Sequence, residues 1–351
     1  MSVTLKEIAK KANVSISTVS RVINNDTNKP ASKETQDKVW RIVRELGYVP
    51  NQNARNLIKG NESIIENTNT RAIGCIFTST RDTYNDPFFS QIARGIQDEV
   101  SKRGYVLGYS FSSCDMSFSA LYNNLTSNPV DGAVILGRFS KDVLNFLKQN
   151  ISNIVYAGVN YVDAGFDEVI CDGYKGAMSA VEHLINLNHR NIGFIGSTKE
   201  IEKVVNEHRY EGYLDTLNRH SIPVDKAYIE DVELSSADGF SGMENMINRL
   251  GKDKLPTAVF CANDLVAIGA MKALHKNNIR VPQDISIIGL DDIELSEYVT
   301  PGLTTIKVPK VELGKFAVKM LIDKIENGHT LPVRVNVPFA LIERESCRAI
   351  N

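Results

Sequence analysis

The sequence predicts two unlike parts: an all-α head of helix-turn-helix type over residues 1–49, and an α/β body of parallel sheets over residues 71–351. Three observations carry this. Between Thr4 and Asn24, apolar residues recur at helical spacing on both sides of an asparagine corner. From Arg71 onward, short apolar runs alternate with amphipathic stretches of ten or more residues. Charge divides at the same place, with eleven Lys and Arg against five Asp and Glu in residues 1–60, and 29 against 37 beyond. A basic head on an acidic body suits phosphate attraction confined to one end, although the net charge is only −2.

The stretch TLKEIAKKANVSISTVSRVIN (4–24) reads as a DNA-reading pair of helices. Leu5, Ile8, Ala9 and Ala12 share one helical face, and Lys6, Glu7, Lys10 and Lys11 face outward. Asn13 breaks the helix because its short amide tolerates a left-handed turn, and Val14 plugs the corner. Ser15 has the chemistry of an N-cap for the next helix. In that helix Val19, Val22 and Ile23 point inward, leaving Ile16, Ser17, Thr18, Ser20, Arg21 and Asn24 on the outer surface. Short hydroxyl side chains allow close approach to a major groove; Arg21 and Asn24 can pair with base edges or phosphates, and Ile16 can sit on a thymine methyl.

A third helix follows, capped by Ser32 or Thr35, with Val39, Trp40, Ile42, Val43 and Leu46 on its apolar face and Gly47 as its stop. Trp40, the single tryptophan, is expected to pack on the three-helix core. Tyr48-Val49-Pro50-Asn51 leaves the domain, since Pro50 disfavours helix at Val49. Residues 50–60 then hold a short helix, too short to be stable alone in water, and 61–70 form a polar linker.

In the body, strands are expected over 71–79, 105–111, 131–137, 152–158, 168–172, 191–197, 257–263 and 284–292. Helices are expected over 87–104, 116–127, 141–150, 174–189, 206–220, 265–278 and 308–328. In open α/β sheets ligands sit beyond the carboxyl ends of strands. The residues there are Ser79, Phe88, Phe89, Asn160, Arg209, Asn263, Asp264, Asp291 and Asp292. Asp, Asn and Arg give directional bonds to vicinal hydroxyls, and aromatic faces cover C–H patches, a mixture suited to a saccharide. Each has a structural alternative. Arg209 could pair with Glu207 or Asp291, Asn263 could cap the following helix, and Asp264 and Asp292 could serve a turn.

No enzyme signature stands in the chain. RAIGCIFTSTRD replaces the GxGxxG of a dinucleotide site, and neither GxxxxGK[ST] nor GxSxG occurs. The six histidines lack metal-ligand spacing, and Asp291–Asp292 are adjacent carboxylates in a turn rather than a facing acid/base pair. No cofactor is expected. The five cysteines (75, 114, 171, 261, 347) are scattered, as for reduced thiols in a cytoplasm, and neither a signal peptide nor a membrane span is read, so a cytoplasmic protein is expected.

TVSRVIN and the residues around it closely resemble the N-terminal domain of the lactose/galactose/purine repressor (LacI/GalR) family, and the resemblance runs in order through the whole chain. It implies a body of two Rossmann-like lobes of the type I periplasmic-binding-protein kind, with crossovers near 160, 291 and 307. It makes residues 50–60 a hinge helix that orders on DNA, with Leu57 as a minor-groove wedge, Ala54 allowing close approach and Arg55 near phosphate. DNA contacts then comprise Thr4, Ser15, Ile16, Ser17, Thr18, Ser20, Arg21, Asn24, Tyr48, Asn51, Ala54, Arg55 and Leu57. The connection NNDTNKPASK looks about two residues longer than is usual in the family, which puts phosphate contacts from that loop in doubt.

The resemblance carries Arg209, Asn263 and Asp291 over as effector contacts, and more loosely Ser79, Phe88, Phe89 and Asn160. The expectation is a homodimeric regulator on a pseudo-palindromic operator, a repressor of carbohydrate genes released by a small sugar. The alternatives are a co-repressor-dependent regulator reading a nucleobase or a phosphorylated partner protein, and a solute receptor for a transporter. The C-terminal PFALIERESCRAIN carries no heptad repeat, so a coiled-coil tetramer is not expected.

Overall fold

The computed structural model describes residues 4–24, 31–46, 48, 70–77, 86–113, 116, 118–198 and 207–351. The expected hinge helix (50–60) and most of the linker, with Asn51, Ala54, Arg55, Leu57 and Ser79, lie outside the described residues.

The head is three helices, α1 (Leu5–Ala12), α2 (Ile16–Asn24) and α3 (Lys33–Leu46). Thr4 and Glu7 cap α1 reciprocally, and Asn13 ends it in the left-handed region at φ 52°. Ser32, rather than Thr35, caps α3, its hydroxyl accepting from the Thr35 N–H at 3.3 Å. Ile8, Ala12, Val19, Ile23, Val39 and Val43 close the core. Trp40 is buried too, and its ring also meets Tyr122 of the body at 5.8 Å between centroids.

Among the described residues, the body holds two six-stranded sheets. The first contains β1 (Ala72–Phe77), β2 (Val106–Ser112), β3 (Gly132–Leu136), β4 (Ile154–Gly158), β5 (Asp167–Ile170) and β11 (Arg334–Asn336), all parallel, in the order β11-β5-β4-β3-β1-β2. The second contains β6 (Ile192–Gly196), β7 (Ile229–Asp231), β8 (Ala258–Cys261), β9 (Ser286–Asp291), β10 (Thr304–Lys307) and β12 (Ala340–Ile342), in the order β12-β10-β9-β8-β6-β7. Only β12 runs antiparallel there. Strand order reverses between β1 and β3, and again between β6 and β8, which opens a crevice at the carboxyl ends of each pair.

The helices are α4 (Phe89–Lys102), α5 (Phe118–Ser127), α6 (Lys141–Asn150), α7 (Gly173–Asn186), α8 (Arg209–Arg219), α9 (Ser236–Leu250), α10 (Asp264–Lys276), the short α11 (Leu295–Tyr298) and α12 (Lys310–Asn327). Sequence reading did not predict α9, because Gly239 and Gly242 dilute its helical signal. Those glycines are buried and let α9 lie close against α10 and the second sheet.

Two expected crossovers need correction. The chain does not change sheets near 160, because β5 pairs in parallel with β4 after a connection of residues 159–166 that contains no helix. A strand reached without an intervening helix reads, in sequence, as the start of a new block. The first crossing instead follows Ile170. Nor does the chain recross near 291, since β9 and β10 are neighbours in the second sheet. It leaves that sheet after Lys307, packs α12 on α4 beside the first sheet, adds β11 there, and crosses a third time over 337–339 to reach β12.

The α4–α12 contact depends on two glycines. A Cβ at Gly95 would overlap the Val311 carbonyl oxygen, and one at Gly314 would overlap that of Ile92. Gly314→Ala is therefore expected to destabilise the protein by about 1–3 kcal/mol through overpacking, read as a lower midpoint in thermal or urea unfolding.

Candidate functional site

On the head, α2 presents its polar face outward. Ile16 is 47% exposed, and Ser15 and Ser17 are exposed with it, whereas Val19, Val22 and Ile23 are buried. Ser15 caps the helix by accepting from the Thr18 N–H at 3.0 Å. Its hydroxyl also lies 2.8 Å from those of Ser17 and Thr18. Arg21 folds back along the helix, donating from Nε to the Ser17 carbonyl at 3.3 Å and from Nη2 to the Thr18 hydroxyl at 3.2 Å. Ser20 is half-buried beside this group, and Asn24 is the last residue of α2. Thr4 sits at the start of α1 with its hydroxyl shared with Glu7, and Tyr48 is bound through its N–H to the Val43 carbonyl at 3.0 Å. Of the expected readers whose side chains are described, Ser15, Ile16, Ser17, Thr18, Ser20 and Arg21 lie at the start of or along α2, and Thr4 and Tyr48 lie at helix ends.

In the body, the residues after β4, β6 and β8 converge. Arg209 opens α8 and is buried. It donates from Nε to Glu207 Oε1 at 2.8 Å, pairs through Nη2 with Glu207 Oε2, and reaches the Ala262 carbonyl through Nη1 at 2.8 Å. Glu207 in turn accepts from Asn160 Nδ2 of the first lobe at 3.4 Å. Burial alone would raise the Glu207 carboxyl; the Arg209 charge and hydrogen bonds, with Arg138 adding, more than offset it and hold it below the usual carboxylate range. One residue along each chain segment, Tyr161 stacks on His208 at 4.3 Å, and the Arg334 guanidinium lies over the Tyr161 ring, 4.7 Å from its centre. Adjacent pairs, 160–161 and 207–208, therefore join the lobes.

Asn263 is the N-cap of α10, with Oδ1 accepting from Val266 N–H at 2.9 Å and Nδ2 donating to the Leu234 carbonyl at 3.1 Å. Its capping alternative is realised, and it stands next to the carbonyl that Arg209 binds. Asp291 ends β9 at φ 132°, followed by Asp292 at 52°, two consecutive non-glycine residues with positive φ. Lys310 holds this turn by donating to the carbonyls of Asp291 at 2.5 Å and Asp292 at 2.9 Å. The Asp291 carboxyl is pushed well up, by burial first and the Asp264 charge second, against Arg209 and Lys310. Asp264 and Asp292 serve the turn. Asp264 is fully buried and accepts from Ser296, Thr305 and the Ile293 N–H, while Asp292 pairs with Arg344 at 2.7 Å.

Phe88 and Phe89 meet edge to face at 5.1 Å at the start of α4. Both N–H groups donate to Asp86, at 2.9 and 3.1 Å, and its carboxyl is raised by burial against those bonds. Its charge is felt at Asp291 of the other lobe. Sequence reading offered Glu207 or Asp291 as a partner for Arg209, and the Glu207 alternative is realised; Asp86, Lys310 and the Tyr161–His208 pair were missed. Asp86 had a signal, an Asp before Pro at a helix start; the others had none. An open groove of about 340 Å³ beside the stack is lined by Tyr161, Asp172, Tyr174, Glu211, Leu214 and Asp215, and none of the expected effector residues lines it. Among the described residues no cluster of His, Cys, Asp and Glu could hold a metal, and no helix is long and apolar enough to cross a membrane.

Residues 4–51 match the family described as bacterial regulatory proteins, lacI family, and residues 181–347 match a periplasmic binding protein-like domain. The ribose operon repressor of Haemophilus influenzae is 34% identical over 92% of this chain and 92% of its own length. The chain belongs to the LacI family. The repressor PurR of Escherichia coli is 31% identical over 98% of the chain and 96% of its own. Among solved structures, a CelR–cellobiose complex superposes with a TM-score of 0.75 at 26% identity, covering 98% of this chain and 99% of that one. A lac repressor dimer bound to operator and the anti-inducer ONPF gives 0.68 at 27% identity, over 99% and 100%. As a LacI-family member, the protein is a DNA-binding transcription regulator and not an enzyme.

The buried pair makes a test. Glu207→Gln strands the Arg209 charge and is expected to cost about 3–5 kcal/mol at pH 7. Because the native Glu207 pKa is depressed, the wild-type advantage is fully present above about pH 4.5 and is lost as pH falls through the native value. Urea unfolding of both proteins from pH 7 to pH 3 checks it.

Proposed function

We propose that this regulator is a cytoplasmic homodimer that represses carbohydrate genes from a pseudo-palindromic operator and is released by a small sugar bound between its lobes. The observation that carries the effector reading is Asn160. It is buried, its Nδ2 faces Glu207, and its Oδ1 has no hydrogen-bond partner among the described residues. Gly173 leaves room for that oxygen, since a Cβ there would stand 2.5 Å from it. A buried acceptor without a donor is costly, and a ligand hydroxyl supplies one. Glu207 stands beside it and is bound by Arg209, whose charge acts in turn on Asp291; the Phe88–Phe89 pair lies at the start of α4. Together with Asn263 they form the proposed shell.

The relatives favour a sugar. One solved neighbour carries cellobiose, and another, from Enterococcus faecium, carries ribose at 28% identity and a TM-score of 0.67, covering 80% of this chain and 100% of that one. A sugar acts only through its different affinity for the DNA-bound and released forms, a coupling of about 1–3 kcal/mol. Dimerisation supplies the second half-site that a single three-helix head lacks.

Thermal shift of the full-length protein with ribose, cellobiose and purine bases tests the class. A ligand at a hundredfold its Kd is expected to add about 2.7 kcal/mol of stability. Ribose or cellobiose is expected to raise the midpoint and to release DNA in a gel shift. Stabilisation by a purine base that tightens DNA binding would reverse the regulatory sign, and sedimentation at the monomer mass would remove the dimer.

A further inference from the structure

We propose that Thr18 is a positioning residue rather than a reader: its hydroxyl, with the Ser17 carbonyl, aims the Arg21 guanidinium at a base edge. The inference rests on α2 being the base-reading helix.

Arg21 has five N–H donors in a rigid fork. Two are spent on the helix itself, Nε–H on the Ser17 carbonyl at 3.3 Å and one Nη2 hydrogen on Thr18 Oγ1 at 3.2 Å. Those two form the side-on edge of the guanidinium. The end-on edge, one hydrogen from each Nη, is left for the duplex. That edge presents two parallel donors, which match the O6 and N7 acceptors of guanine in the major groove. Without the two anchors, a side chain with four rotatable bonds would sample many orientations and lose entropy when it docks.

Thr18 suits this task better than direct contact. Its β-branched side chain is stiff at χ1 in a helix, and its oxygen is tied 2.8 Å from Ser15 Oγ. Ser15 is itself fixed as the cap, accepting from the Thr18 N–H at 3.0 Å, and its oxygen lies 2.8 Å from Ser17 Oγ. Counting lone pairs, the protons of the three hydroxyls can run in either direction along this chain. In both, one lone pair of Thr18 Oγ1 receives Arg21. Thr18 is half-buried, and Ile16 and Ser17 stand further out on the helix face.

The test is selection of duplexes from a random pool by the full-length protein, followed by sequencing. Wild type, R21A, T18A, the isosteric T18V, T18S and T18A/R21A are compared. R21A is expected to flatten the preference at one base pair per half-site by about tenfold. T18A and T18V flatten that same base pair severalfold, T18S keeps most of the preference, and T18A/R21A is no worse than R21A. Three results overturn the proposal: an even loss of binding across all duplexes in T18A and T18V with the motif intact, no change in either, or additive losses in the double variant. An R21A protein that selects the wild-type motif overturns it as well, and in addition removes α2 as the base-reading helix.

Discussion

Glu207 has no access to water, yet it stays ionised because Arg209 grips both of its oxygens. Two buried charges of opposite sign cost several kcal/mol each to desolvate, so they persist only where geometry and further hydrogen bonds complete them. Here completion comes from the Ala262 carbonyl on Arg209 and from Asn160 on Glu207, the latter belonging to the other lobe. The ionic pair therefore makes the relative placement of the lobes an electrostatic matter as well as one of packing. The Tyr161–His208 stack beside it adds a contact across the same line, with aromatic area rather than charge.

This arrangement rests on topology. The order reversals between β1 and β3 and between β6 and β8 set the carboxyl ends of central strands at one level, and the residues that follow them are the ones that meet. Among the described residues, three chain crossings join the lobes. Lys310 stands just after the second crossing and holds the Asp291–Asp292 turn through backbone carbonyls. A turn with two successive positive φ values is strained, and a buried ammonium on both carbonyls is what over-determines it. Asp291, a member of the proposed effector shell, and Lys310, at the second crossing, are thereby neighbours.

The head is a separate physical problem. Its small core is closed by Ile8, Val19, Val39 and their neighbours, and its exposed face is organised by hydroxyl groups rather than by packing. Trp40 belongs to that core and also touches Tyr122, so the head is not independent of the first lobe. The division of α2 into a buried and a polar face was legible in the sequence because helical periodicity separates Val19, Val22 and Ile23 from Ser17, Thr18 and Arg21 within nine residues. What those polar side chains do to one another was not legible. Spacing of three or four residues permits the Arg21–Thr18 contact, but only the rotamers choose it.

The same boundary runs through the body. The sequence alone determined the three head helices, most of the strands and helices behind them, and the residues that follow strand ends, because periodicity, caps and turn residues act over a few residues. Tertiary structure decided which strands share a sheet, moving the first crossing from 160 to beyond Ile170 and putting one at 337–339 in place of the one expected near 291. It also decided that Arg209 meets Glu207 and that Glu207 meets Asn160, 47 positions away in the chain. A strand carries no local mark of its neighbour, and a carboxylate carries none of its cation. Both are selected by the free energy of burying surfaces and charges that come together only after the chain has folded.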